Sequence, residues 1–174
     1  MGIAEHYTVP GETLPLLSGI LQWMDFTHRN MIEIIADLPD DALTWHPADA
    51  MGSLSGIICH TMYCETYAIR RAAGEDITHD EAADAALWDM RDDAEHLIAC
   101  ISEADAVMKR FLPVMTVEKM AMRYPAWNQA TPTLAGALIA EAAIHTGMHW
   151  GHMQMTRQLW EQAHPEFVGT YTPW

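Results

Sequence analysis

The residues with the clearest chemical promise lie toward the C-terminal end, where Glu141, His145, His149 and His152 follow one another at intervals of four, four and three. On a helix turning about 100° per residue, His145 and His149 sit about 40° apart. They stand one turn above each other, with Cβ atoms about 5–6 Å apart. Two imidazoles so placed can converge on one ion at metal–nitrogen distances of about 2.0–2.1 Å. His152 falls one turn further along that face. Glu141 falls one turn before His145, as a candidate carboxylate for orienting an imidazole or acting as a general base. Leu134, Leu138, Glu141, His145, His149, His152, Thr156 and Leu159 share the three-or-four spacing of an inward stripe. The imidazoles therefore interrupt a face expected to be buried.

A second stripe has the same oddity: Ser53, Ile57, His60, Cys64, Tyr67 and Arg71, with His60 in its middle. Burying imidazoles without partners costs roughly 1–3 kcal/mol per unpaired group. A shared cation removes that cost, so the expected ligand set is His60, His145 and His149. Cys64, one turn after His60, is a candidate fourth ligand; its competing role is an inert packing thiol. His152 and His28 extend the candidates, although an inward histidine taken alone is more often a hydrogen-bonded core residue. Arg71 and Arg157 are candidate anchors for an anionic substrate group, weighed against solvated surface roles. Tyr63, Tyr67 and the thirteen methionines read as packing groups.

Four helical stretches must position these residues. The first spans about 13–38, where Leu14, Leu17, Leu21, Met24, His28, Met31, Ile35 and Leu38 keep one stripe until Pro39 stops it. The segment from Pro39 to Gly52 reads as a connection with turn chemistry, long enough that the first two helices need not be tight neighbours. The second helix spans about 53–73, with Ser53 as N-cap and Gly74 closing it. Residues 75–90 are acidic and polar, a short exposed helix or a loop. The third helix spans about 90–112 and ends before Pro113. Residues 113–131 read as an irregular crossing segment. The fourth helix spans about 132–162, with Thr131 as cap and Pro132 in the first position. The tail from His164 reads as an extended surface segment. The pattern predicts a single all-α domain, a four-helix bundle.

Composition narrows the partners. The chain has 174 residues, 50% of them hydrophobic, enough for one domain with a real core. With 24 acidic against 9 basic residues, the formal charge is −15, which argues against nucleic acid and against anionic membrane surfaces. Three cysteines, Cys59, Cys64 and Cys100, form no disulfide framework, so a reducing cytoplasm is the expected compartment. The N-terminus lacks the basic and apolar regions of a signal peptide, and His6 stands where a myristoylation motif needs Ser or Thr. No run is long and apolar enough to span a membrane.

Two stretches, LPDDALTWHPADAMGSLSGIICHTMYCETY and AEAAIHTGMHWGHMQM, resemble the DinB/YfiT-like superfamily of metalloenzymes. The resemblance is carried by Leu38, Leu43, Trp45, Pro47, Ser53 and His60, then by His145, His149 and Gly151. His152 stands where glutamine is common. The resemblance implies a four-helix bundle holding a metal near one end by one histidine of the second helix and two of the fourth. The metal in such proteins is zinc or nickel, in some iron or manganese, and homodimers are frequent. Some relatives transfer or use low-molecular-weight thiols. The expected function is a metal-dependent enzyme of the thiol S-transferase or hydrolase type, acting on a small molecule. The alternatives are a non-catalytic metal- or small-molecule-binding stress protein and a structural dimer with a vestigial site.

Overall fold

The stripe between Leu14 and Leu38 forms a helix, α1, over Pro15–Ile35. The computed structural model describes residues 8–48, 51–129 and 131–172. The myristoylation reading and most of the signal-peptide reading rest on residues 1–7, outside the described residues. Helix α1 begins two residues later than the spacing predicts, because Pro15 occupies the first turn, where its missing N–H costs nothing. It ends three residues early, before Leu38. Pro39 then caps a one-turn helix, α2 (Asp40–Leu43), where the sequence suggested only a turn; burial of Ala42 and Leu43 holds it.

Helix α3 (Leu54–Ala72) matches its expected span. The Ser53 side chain accepts from the Gly56 N–H, and Gly74 takes φ 95°, a conformation that favours glycine. Asp80 caps a short helix, α4 (Glu81–Leu87), within the acidic stretch. Helix α5 (Ala94–Phe111) starts later than predicted because the Asp93 carboxylate accepts from the His96 N–H. A 3₁₀ turn over Leu112–Val114 and a one-turn helix, α6 (Val117–Met120), follow.

The expected Thr131 cap and Pro132 start of the last helix are wrong. Arg123–Tyr124 (β1) and Thr133–Leu134 (β2) form a small antiparallel pair, with Arg123 opposite Leu134. That pairing keeps residues 133–134 extended, so helix α7 runs over Ala135–Ala163. The tail does lie along the surface, as read. It is tied there by Thr170, whose hydroxyl donates to Asp37 at 2.9 Å, and by the Tyr171 ring over Arg157.

The four long helices are not arranged in chain order. Helix α3 packs along α7 and α5, and α1 packs along the same two, so α1/α3 and α5/α7 are the diagonals. One apolar cluster joins Met31, Ile35, Leu54, Ile58, Leu97, Ile101, Met153 and Trp160. The other joins Leu17, Leu21, Ala68, Ile69, Met108, Leu112, Leu138 and Ile139. Residue order within these clusters shows that α1 and α7 run one way and α3 and α5 the other. Since α3 and α5 are parallel neighbours, the chain between them must return along the bundle, and that return carries α4 past the middle of α3. Between the two apolar clusters lies a buried polar waist of His28, Thr61, Glu65, Thr146 and His149.

Candidate metal centre

His60 on α3 faces His145 and His149 on successive turns of α7. The His145 Nε2 lies 3.2 Å from His60 Nε2 and 3.1 Å from His149 Nε2. Nitrogens bound at about 2.0–2.1 Å to a tetrahedral ion sit about 3.3 Å apart, and at neighbouring octahedral positions about 2.9 Å apart. The observed spacings fall between the two. The rings meet edge-on, at 64°, 70° and 77°, so they aim nitrogens at one another and do not stack. His149 is buried; His60 and His145 are half-buried.

The protons do not suffice for this arrangement. His60 Nδ1 donates to Asp84 Oδ1 at 2.5 Å, and that carboxylate selects the tautomer whose Nε2 is a bare lone pair. One proton can bridge only one of the two Nε2 contacts that His145 makes. His145 Nδ1, on the other side of its ring, is buried with no hydrogen-bond partner among the described residues. Burial, then the neighbouring His60 imidazole, pushes His145 down to about 4. Burial, then His145 and His60, pushes His149 down to about 3. Both are neutral at pH 7, the form in which imidazole binds a metal. A divalent cation supplies what the lone pairs lack, so these residues fit one.

An aromatic ring covers one flank of the imidazoles, and cavities open beside them. Trp88, at the end of α4, packs tilted by 30° against His60 with ring centres 4.4 Å apart and lies 5.8 Å from His149. Its approach depends on Gly56, where a Cβ would stand 2.4 Å from the Trp88 carbonyl oxygen. A cavity of about 220 Å³ is lined by Cys64, Asp84, Trp127, Glu141 and His145. A second, of about 230 Å³, touches Trp88, His149 and His152. A third, about 610 Å³, lies between α3 and α5 and touches none of the three imidazoles.

Of the other sequence candidates, Cys64 joins the cluster. Its Sγ lies 3.8 and 3.9 Å from the two ring nitrogens of His60 and 3.8 Å from both Asp84 oxygens, and it is grouped with His60 and His145 within 4.8 Å. Burial, then Asp84, pushes its thiol up to about 12. His152 does not join. It is exposed, and its Nδ1 meets the Nδ1 of His149 at 3.3 Å, on the side away from the convergence. His28 is elsewhere, paired with Glu65 at 2.9 Å. Glu141 is exposed and accepts from Trp127 Nε1 at 3.0 Å; the imidazole-orienting role expected of it belongs to Asp84.

The stripe on α7 is rotated from the one read in the sequence. Its buried line runs through Leu138, Ala142, Thr146, His149, Met153, Thr156 and Trp160, leaving Leu134, Glu141, His152 and Leu159 exposed. Both candidate substrate arginines are structural. Arg157 is buried against Asp37 and Glu161, and Arg71 donates to the Pro125 and Glu75 carbonyls. Tyr63 and Tyr67 pack against His79, as packing groups should.

Sequence reasoning missed Asp84, His79, Trp88 and Glu65. The first three lie in the stretch read as exposed and acidic. The available signal was the Asp80 cap before an alanine-rich turn, with His79, Asp84 and Trp88 at intervals of five and four.

A family model described as the DinB superfamily matches residues 24–153. No match was found among curated proteins. Among solved structures, a conserved protein from Enterococcus faecalis is similar at 16% identity and TM-score 0.68, covering 84% of this chain and 97% of its own. YfiT from Bacillus subtilis, described as a probable metal-dependent hydrolase with an unusual four-helix bundle topology, has 12% identity and TM-score 0.69, with 89% and 94% covered. A mycothiol-dependent maleylpyruvate isomerase has 11% identity and TM-score 0.61; the alignment covers 80% of this chain and 61% of that one. At these identities the likeness establishes the fold.

Proposed function

The chain belongs to the DinB superfamily, and on that premise we propose a metal-dependent enzyme whose divalent cation is held by His60, His145 and His149. The observation that carries this reading is the meeting of three Nε2 atoms with too few protons to share. Imidazole nitrogens suit several first-row ions; zinc or nickel is the cation we propose, with iron or manganese as alternatives. Held by those three side chains, such a cation would supply Lewis acidity to a water or a low-molecular-weight thiol. Asp84 holds the His60 ring and its tautomer. Trp88 keeps bulk water off one flank. Glu141, on the rim of the 220 Å³ cavity, is placed to take a proton from a nucleophile entering there.

A cavity of that size suits a small substrate. The hydrolase description of YfiT and the thiol dependence of the isomerase support a reaction of the hydrolase or thiol S-transferase type. We also propose that the protein works as a homodimer. Purified protein reconstituted with zinc or nickel should hold the ion stoichiometrically, and His149→Ala should lose most of that affinity. Hydrolysis and thiol-conjugation screens should then show turnover that a chelator abolishes. Stoichiometric metal with no turnover on any substrate would favour a metal-binding stress protein. Failure to hold metal at all would refute the centre.

A further inference from the structure

Beside the three imidazoles lies a second group of ligand-bearing side chains, which shares Asp84 with them. His79 precedes α4, Asp84 lies on it, and Cys64 faces both from α3. Their ligand atoms all lie within 4.8 Å of one another. Cys64 Sγ is 3.8 Å from each Asp84 oxygen, and His79 Nε2 is 3.3 Å from Asp84 Oδ2. Around a tetrahedral zinc, with bonds of about 2.3 Å to sulfur and 2.0 Å to nitrogen and oxygen, the sulfur–oxygen edge is about 3.5 Å and the nitrogen–oxygen edge about 3.3 Å. The two separations to Asp84 stand within a few tenths of an ångström of those figures, and Cys64 and His79 lie within 4.8 Å of each other.

His79 supplies the independent sign of a missing partner. Its side chain is 8% exposed, and its Nε2, though 3.3 Å from Asp84 Oδ2, has hydrogen-bond geometry to no group among the described residues. The ring is fixed by three aromatic neighbours, Tyr63, Tyr67 and Trp127, at 5.6, 5.3 and 5.0 Å between centres. An imidazole held rigidly, buried and unsatisfied costs roughly 1–3 kcal/mol unless something meets its nitrogen. Asp84 divides its two oxygens in a way that serves both groups. Oδ1 accepts from His60 Nδ1, and Oδ2 faces His79.

We propose that Cys64, His79 and Asp84 form a second cation site, selective for a thiophilic divalent ion such as zinc, next to the three-imidazole centre and joined to it through Asp84. On binding, the Cys64 S–H bond is replaced by a sulfur–metal bond and one proton leaves to solvent; no electrons are transferred. Thiolate, imidazole and carboxylate together favour zinc over magnesium or calcium, which take oxygen ligands. Cys64 and Asp84 also line the 220 Å³ cavity, so a small ligand has access to an ion held there. The site uses neither His145 nor His149 and stands without them.

Metal counting and cobalt spectroscopy on the full chain test it. Saturated with Zn²⁺ and then freed of excess, the protein should carry two ions per chain. Saturated with Co²⁺, it should show thiolate-to-cobalt charge transfer in the near ultraviolet. His79→Gln and Cys64→Ser should each lose one ion and that absorption. His149→Ala should keep the absorption while losing the other ion. One zinc per chain together with no thiolate-to-cobalt charge transfer in the unaltered protein overturns the second site, and needs no variant to fold. So does charge transfer that survives His79→Gln but disappears in His145→Ala, since Cys64 would then belong to the imidazole centre. An unchanged zinc count in His149→Ala strikes at the first centre and leaves the second standing.

Discussion

Burial ordinarily drives an imidazole toward its neutral form, yet His28 goes the other way. Its ring is 2% exposed, and burial alone would lower its pKa. Glu65 at 2.9 Å and Asp105 at 3.5 Å outweigh that and raise it from 6.5 to about 9. The folded state therefore holds the His28 proton more tightly than the unfolded chain does. The resulting stability is complete below about pH 6.5 and is lost as the pH rises through about 9. Glu65 is wholly buried and also accepts from Thr146 at 2.8 Å, so the charged pair is anchored across three helices. We expect His28→Gln to unfold more easily than the unaltered protein by about 3 kcal/mol at pH 6. That gap should shrink toward pH 10 in urea titrations at each pH. A gap that stays constant across this range would show that His28 is not held charged.

At the scale of elements, the return segment between α3 and α5 decides whether the imidazoles have a supporting carboxylate. It fits only because Gly56 lets the Trp88 backbone come close. In Gly56→Ala the new methyl would meet the Trp88 carbonyl at 2.4 Å, so α4 must move away, taking Asp84 and the Trp88 ring with it. The expected cost is about 1–3 kcal/mol in stability, with zinc affinity at the imidazole centre lowered about 10–100-fold, as for loss of an orienting carboxylate. Competition against a chromophoric chelator measures the second effect. Gly19→Ala on α1 is the control: nothing lies within 4 Å of its added Cβ. It should gain up to about 1 kcal/mol and leave zinc affinity alone. Equal zinc affinity in all three proteins would remove α4 from the site.

The same segment marks where the sequence stopped being legible. The long amphipathic helices, and the imidazoles that interrupt their stripes, could be read because a helix repeats its environment every three or four residues. His60, His145 and His149 belong to such repeats. Asp84 lies on a short, mostly exposed helix with His79 just before it and Trp88 just after it; their contacts with α3 are made far along the chain, and nothing local announces them. The start of α7 was misread for a similar reason. Thr131 and Pro132 look like a helix start locally, but pairing of β2 with β1 holds residues 133–134 extended. The error over Glu141 and His152 is one of phase, since a modest rotation of the α7 stripe puts both outside.

For the whole molecule the open problem is α7, which is apolar on more than the face it buries. Ile144, Met148, Met155 and Leu159 are spaced four, seven and four apart on its outer side, and Ile144 is 73% exposed. On neighbouring α1, Leu16 and Trp23 are exposed as well. A helix apolar nearly all round is normally covered. A second copy of the chain is the cover we expect. Each copy carries a formal charge of −15, so two copies repel over most of their surfaces and can approach closely only where charge is absent. The line from Ile144 to Leu159 exposes no charged residue, and a twofold axis across α7 would pair the stripe with itself. Sedimentation should therefore show a dimer that tightens as salt screens the remaining charge. The double substitution Ile144→Glu with Met148→Glu should yield monomers with unchanged helicity, because both side chains point outward. The same monomers should retain their metal content, because no ligand sits on that side. A monomer at tens of micromolar in high salt would leave the stripe without a partner and refute the dimer, while touching neither metal assignment.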